Sequence, residues 1–205
     1  VDTNDNVFLA GSISGVWNGY VLGSYHTGML LRKYTPNANL LWEQIYHDTA
    51  GSAWQFYSRL MVDAAGSVYG TGTAMGQWGG VEYRWITMKY DALGTLALGP
   101  LYYNYSPSFH LPDNAADVAM DAEGNLYVVG RIGMSGTSGS PTLDWDWQVQ
   151  KLDPSGTVLW TITEDTNGLN DHALAVAVLP GTSEIVVGGY VNRGTDNADN
   201  ADYDW

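Results

Sequence analysis

This sequence predicts an all-β fold built from repeated four-stranded antiparallel sheets, and three observations predict it. One sequence frame recurs along the 205 residues. The recurring blocks are four to eight residues long, rich in β-branched and aromatic side chains, and show no sustained helical period. Between them stand Asp-x-x-Gly turns, in which the Asp carboxylate accepts backbone amides ahead of it and Gly takes the positive φ that closes a tight hairpin.

The first block begins the frame. Val62-Asp63-Ala-Ala-Gly66-Ser-Val-Tyr69-Gly-Thr-Gly72 matches Met120-Asp121-Ala-Glu-Gly124-Asn-Leu-Tyr127-Val-Val-Gly130 position by position. Val1-Asp2-Thr-Asn-Asp5-Asn-Val-Phe8-Leu-Ala-Gly11 fits the same frame, and Val178 to Gly188 fits it with one inserted residue. Four copies therefore begin, at about 60-residue intervals.

The second block reads Trp85-Ile-Thr-Met-Lys89-Tyr90-Asp91-Ala-Leu-Gly94 and Trp147-Gln-Val-Gln-Lys151-Leu152-Asp153-Pro-Ser-Gly156, with Met29 to Lys33 and Tyr34 in the first copy. A third block is Leu40-Leu-Trp42 or Val158-Leu-Trp160. The fourth is Ala173-Leu-Ala-Val-Ala-Val178 or Ala115-Ala-Asp-Val-Ala-Met120. Where the turn glycine is missing, Asn6 and Asn39 stand nearby, and Asn tolerates the left-handed conformation best among the other residues.

Four antiparallel strands per repeat, joined by short hairpins, make a β-propeller blade. The reading is one propeller region over 1–205, with repeats at 1–61, 62–119, 120–177 and an incomplete 178–205. Rings of roughly 4 to 8 blades are needed to hide sheet edges, so three repeats and part of a fourth leave edges open. The segment is then either a portion of a larger ring or is completed by neighbouring copies through strand addition.

Three stretches carry a resemblance. Gly124-Asn-Leu-Tyr-Val-Val-Gly130, Trp145-Asp-Trp147 with Lys151-Leu-Asp153 behind it, and Gly156-x-x-Leu159-Trp160 are similar to the SBBP repeats of bacterial β-propellers. The likeness covers essentially the whole chain. It implies that the Ala-Val-Ala-Val strand is innermost, followed outward by the Tyr-Val-Val-Gly, Lys-Leu-Asp and Leu-Trp strands, and it implies architecture without an activity. A second likeness, of Lys151-Leu-Asp-Pro-Ser-Gly-Thr-Val-Leu-Trp160 to quinoprotein-type propeller repeats, is carried closely by one repeat alone, which argues against that cofactor.

Charge and composition narrow the partners. Twenty-two acidic against 8 basic residues give a net charge of −14, which repels a phosphate backbone and argues against nucleic acid. No apolar run approaches the roughly 18 residues of a membrane-inserting helix. Cysteine is absent, so the chain holds no disulfide and no thiolate metal site. Acidity, abundant Gly, Asn, Ser and Thr, and the family resemblance together place the chain outside the cell or on its surface.

Three sets of residues are candidates for function. His47, His110 and His172 recur at near-repeat spacing between an outermost strand and the next innermost one, with Asp48, Asp113 and Asp171 beside them. They could line a channel mouth suited to a metal or a small ligand, or the aspartates could cap their loops and the histidines sit at the surface. Asp196, Asp199, Asp202 and Asp204 form an oxygen-rich tail that could hold calcium, although it lacks the spacing of a known calcium loop; the plain alternative is a solvated loop. Asp144 and Asp146 precede Trp147 as Asp202 and Asp204 precede Trp205, which marks a repeated structural feature.

Aromatic richness, with nine Trp and fourteen Tyr, is the third signal. Trp17, Trp54 and Trp78 lie outside the repeated blocks and are candidates for an exposed glycan-binding or self-associating surface. Trp42, Trp85, Trp147 and Trp160 are expected to pack between blades, and Tyr69, Tyr90 and Tyr127 in the core. No Gly-x-Ser-x-Gly, His-Glu-x-x-His or phosphate loop is present. The expectation is a non-enzymatic structural or binding module whose partner is a glycan or a further copy of itself. A carbohydrate-active enzyme with its site at the channel mouth, and a calcium-stabilised adhesin, are the rivals.

Overall fold

A computed structural model describes residues 1–17, 20–22, 27–47, 54–75, 83–103, 113–135, 143–165, 170–192 and 203–204. All regular structure among them is β-strand, and every pairing is antiparallel between strands adjacent in a sheet. The chain forms two compact units, Val1–Tyr103 and Asn104–Trp205.

In the first unit, β1 (Val7–Ile13) is followed by a small hairpin of β2 (Gly15–Trp17) and β3 (Tyr20–Leu22). It then pairs with β4 (Gly28–Tyr34), which pairs with β5 (Leu40–Tyr46). The second sheet has the order β6 (Trp54–Val62), β7 (Val68–Met75), β8 (Tyr83–Tyr90), β9 (Leu96–Tyr103). β6 packs against β1 and β4. Between the two sheets lies a core of Met29, Leu31, Val68, Ala74, Ile86, Met88 and Tyr90, with Phe8, Trp42 and Tyr57 against it.

The second unit repeats the plan. Its first sheet is β10 (Asn114–Met120), β11 (Leu126–Ser135), β12 (Leu143–Leu152), β13 (Val158–Glu164); its second is β14 (His172–Val178), β15 (Ile185–Asn192), β16 (Tyr203–Asp204). β14 packs against β10, β11 and β12, burying Tyr127, Val129, Val149, Ala173 and Val176. Trp147 Nε1 donates to the Tyr190 carbonyl at 2.8 Å, as Trp42 Nε1 donates to Ala92 at 3.1 Å in the first unit.

The turn chemistry is that of the sequence. Gly66, Gly94, Gly124 and Gly156 have φ between 81° and 87°, and each donates its amide to the Asp three residues earlier. Asp63, Asp91, Asp121 and Asp153 each accept an amide through Oδ1 four residues on. In the two turns without glycine the left-handed residue is not Asn6 or Asn39 but its predecessor, Asp5 (φ 58°) or Ala38 (φ 61°). The turn register fixes the strained position three residues after Asp2 or Thr35, which leaves Asn6 free to bond Asp2 through its side chain at 2.9 Å.

Two further sequence readings are corrected. Each first strand carries a bulge, between Tyr57 and Arg59, Ala115 and Asp117, and Ala173 and Ala175. Just before the bulge the backbone runs so close to its neighbour that only glycine fits opposite, and these glycines are Gly72, Gly130 and Gly189. The fourth copy is thus aligned on Gly189 rather than Gly188. Trp160, expected to be covered like Trp42, is 36% exposed on β13, because no described hairpin stands over it as the β8–β9 turn stands over Trp42. Trp85, Tyr69, Tyr90 and Tyr127 are buried as expected.

A three-residue group recurs that the block pattern does not announce. Lys33 meets Asp2 at 3.0 Å and lies over the Phe8 ring; Lys89 meets Asp63 at 3.8 Å and lies over Tyr69; Lys151 meets Asp121 at 3.4 Å and lies over Tyr127. Pairing explains it. Asp opens the hairpin into the second strand, the ring sits six residues later on that strand, and Lys is directly opposite the ring on the third strand. Burial raises the Asp121 pKa, but bonds from Asn125, Tyr127 and Lys151 outweigh it and hold the group at about 2. The same balance, with Asn6 and Lys33 as donors, keeps Asp2 well below the usual carboxylate range.

Candidate functional site

In the second unit, the end of the sheets where β10 and β14 begin and β11 and β15 finish gathers four side chains from four strands. Arg131 comes from β11, Trp145 from β12, His172 from the first position of β14 and Tyr190 from β15. Pairing sets their places: His172 lies opposite Tyr190 in the ladder, and their rings stack with centroids 4.6 Å apart and planes 21° apart. Trp145 meets His172 edge-on at 6.1 Å, and the Arg131 guanidinium lies 5.0 Å over the Trp145 ring.

Arg131 Nη1 is 3.0 Å from His172 Nε2 and 3.3 Å from Nδ1, which sets the guanidinium against the face of the imidazole. Burial, reinforced by the Arg131 charge, pushes the His172 pKa down to about 4, so the ring is neutral near pH 7. Burial also draws the Arg131 pKa below its ordinary value. The cluster is a stack of planar groups with one fixed cation at its edge.

The neighbouring carboxylates serve the backbone. Asp113, directly before β10, accepts the Gly133 amide at 2.8 Å; Asp171, directly before β14, accepts the Asn192 amide at 2.9 Å. Both are buried. In each case the Asp ties the start of a first strand to the end of its own second strand, so the two are equivalent by role. Asp171 also donates its amide to the Trp145 carbonyl, and Asn170 accepts the Trp145 amide at 3.2 Å, which fixes the indole's backbone.

Of the histidines, His172 belongs to this cluster, and half-buried His47 follows the last residue of β5 in the first unit. His110 and Asp48 lie outside the described residues, as do Trp78, Asp196, Asp199 and Asp202. Trp17 on β2, Trp54 at the start of β6 and Asp204 on β16 are placed by their backbone, and their side chains lie outside the description.

Sequence reasoning missed Arg131, Trp145 and Tyr190. The available signal was their departure from the repeat: in the first unit the positions of Arg131, Trp145, His172 and Tyr190 are held by Ser12, Thr27, Phe56 and Thr73. A feature present in one repeat alone is not required by the repeat's architecture. No family model matches the chain, and no curated protein matches it in sequence.

Proposed function

We propose that this chain is a structural and recognition module of the β-propeller type, working at the cell exterior through its sheet edges and aromatic surface rather than through bond-making chemistry. What carries this reading is where the ionisable side chains go. Asp2, Asp63 and Asp121 are engaged by lysines in the recurring clamp, Asp113 and Asp171 hold backbone amides, and His172 is stacked and neutral. A hydrolytic site needs carboxylates converging on an open pocket with their proton affinities moved apart; these carboxylates are spent on the scaffold. Within each unit the first strand of the second sheet is laid on the sheet before, β6 on β1 and β4, and β14 on β10, β11 and β12, which supports the propeller architecture and the SBBP likeness.

Within that reading the module acts by assembly through open edges. Sedimentation velocity on the intact chain tests it: mass that rises with concentration supports assembly, and a fixed monomer mass at high concentration refutes it. A second reading, glycan recognition, is favoured by the Trp145, His172 and Tyr190 rings beside Arg131, since sugar faces stack on such rings and sugar hydroxyls accept from a guanidinium. Titrating a panel of oligosaccharides while following tryptophan emission, with Trp145→Ala as the control, tests that.

A further inference from the structure

The outer strands of the first unit are joined by two phenols. Its sheets pack along their inner strands, β6 against β1 and β4, while β5 and β9 lie in different sheets and share no ladder. The Tyr46 hydroxyl, at the end of β5, stands 2.6 Å from the Tyr102 hydroxyl of β9, and either can donate to the other. That distance is at the short end for an O–H···O bond. The Arg84 guanidinium lies 4.6 Å from the centroid of the Tyr102 ring and holds it from one face. Tyr102 is 36% exposed and Tyr46 is half-buried against the core, so solvent reaches one ring while packing fixes the other.

The repeat does not ask for this pair. Tyr46 lies opposite Met29, four residues before Lys33, and Tyr102 opposite Ile86, three before Lys89. In the sheet of β10 to β13 the same positions, opposite Trp147 and Gln148, are Glu164 and Thr163. A hydrogen bond between hydroxyls that water can also reach adds little to stability. The chain has no cysteine, so sulfur offers it no covalent tie between sheets.

Phenol chemistry does offer one. Loss of one electron and one proton turns a phenol into a phenoxyl radical, whose unpaired electron is shared by the oxygen and by the ring carbons ortho and para to it. In tyrosine the para carbon carries the side chain, which leaves the ortho carbons, each one bond from the carbon that bears the hydroxyl. Two hydroxyls in hydrogen-bond contact therefore bring two ortho carbons within reach of each other.

We propose that Tyr46 and Tyr102 are an oxidative cross-linking site, joined by an ortho–ortho carbon–carbon bond when a peroxidase and hydrogen peroxide act on the chain. Each phenol gives up one electron and one proton, and the two radicals combine through their ortho carbons. The hydrogen on each of those carbons then moves to the oxygen of its own ring, which restores both aromatic rings. The two electrons and two protons released reduce one hydrogen peroxide to two waters. The product is a biphenol whose hydroxyls stay side by side, as they already stand. Tyr57, another phenol near Tyr46, is partly buried; burial first, then Tyr90 and Tyr46, push its pKa up, so it keeps its proton and competes poorly.

Peroxidase with limiting hydrogen peroxide, acting on the dilute intact chain, tests the site, with free tyrosine oxidised in parallel as the control for the oxidant. The expected product shows the blue fluorescence of a biphenol, has lost the mass of two hydrogen atoms, and still runs as a single chain on a denaturing gel. Proteolysis is expected to yield a linked peptide carrying Tyr46 and Tyr102. Because the two rings are held together before reaction, Tyr46→Phe and Tyr102→Phe should each lower the intramolecular product about tenfold or more, whereas Tyr103→Phe should leave it unchanged. The proposal falls if free tyrosine dimerises and the parent chain does not, if links form only between chains, or if either Tyr46→Phe or Tyr102→Phe gives as much intramolecular product as the parent.

Discussion

Replacing Gly130 by alanine isolates the energetics of the bulged strand pair. The new Cβ would sit on the Asn114 carbonyl oxygen and 2.9 Å from the Ala115 Cα, both backbone atoms with no rotamer to escape into. Reaching ordinary contact requires β10 and β11 to part by about 1 Å, which stretches adjoining ladder bonds beyond hydrogen-bond length. Two or more backbone groups are then unsatisfied inside a buried sheet, at roughly 1–3 kcal/mol each. The expected loss is about 3–5 kcal/mol, at the top of the range for single substitutions. Urea titration followed by tryptophan fluorescence and far-ultraviolet circular dichroism measures it, with Gly11→Ala as the matched control. That control is expected to be neutral or to gain up to about 1 kcal/mol from strand propensity. A loss below about 1 kcal/mol at Gly130, or equal losses at both sites, would refute the account of why these glycines recur.

Three other outcomes follow from the structure. Asp121, held at about 2 in the fold against 3.8 unfolded, stabilises the protein above pH 4 by about 1–2 kcal/mol, and that share is lost as pH falls through 4 towards 2; Asp121→Asn should flatten the acid limb of stability against pH. His172 acts in the same direction at higher pH, its pKa lying near 4 in the fold and at 6.5 unfolded, so stability falls as pH drops from 6.5 to 4, by about 1–2 kcal/mol after allowance for its partial exposure. His172→Gln should remove that slope, read as melting temperature against pH. Ala38→Gly should raise stability by about 1 kcal/mol in denaturant titration, because alanine at φ 61° bears the left-handed penalty that glycine escapes.

Strands and turns were legible because both rest on local chemistry. Period-two apolar blocks gave the strands, and Asp63, Asp91, Asp121 and Asp153 gave the hairpins with their closing glycines. Local pattern failed where a second strand decides the matter. The fourth copy slipped by one residue, from Gly189 to Gly188, because the inserted turn residue between Leu179 and Glu184 shifts the count and only the pairing with His172 and Ala173 restores it. The Asp–Lys–ring group was spelled out three times in the chain, but its Lys stands 20 to 31 residues from the other two members and meets them only across a ladder.

The candidate site was harder still. Near-repeat spacing suggested that the histidines were equivalent, yet His47 follows the last strand of its sheet and His172 begins the first strand of another, so equal spacing did not mean equal place. Arg131, Trp145 and Tyr190 carry no motif. What joins them to His172 is the meeting of four strand ends, which no linear pattern encodes.

The recurring clamp has a consequence for how such a chain can change length. Lys33 donates to the Ala92 carbonyl at 3.3 Å, and the Tyr127 hydroxyl to that of Ser183 at 3.1 Å, so in each unit the clamp of the first sheet reaches a turn of the second. The first sheet of a unit thus carries a socket and the second carries the turn that fills it. Duplicating or deleting a whole two-sheet unit preserves this junction, whereas losing one hairpin leaves a socket vacant or a turn unheld. Growth by complete units is therefore tolerated, and growth by half a unit is penalised.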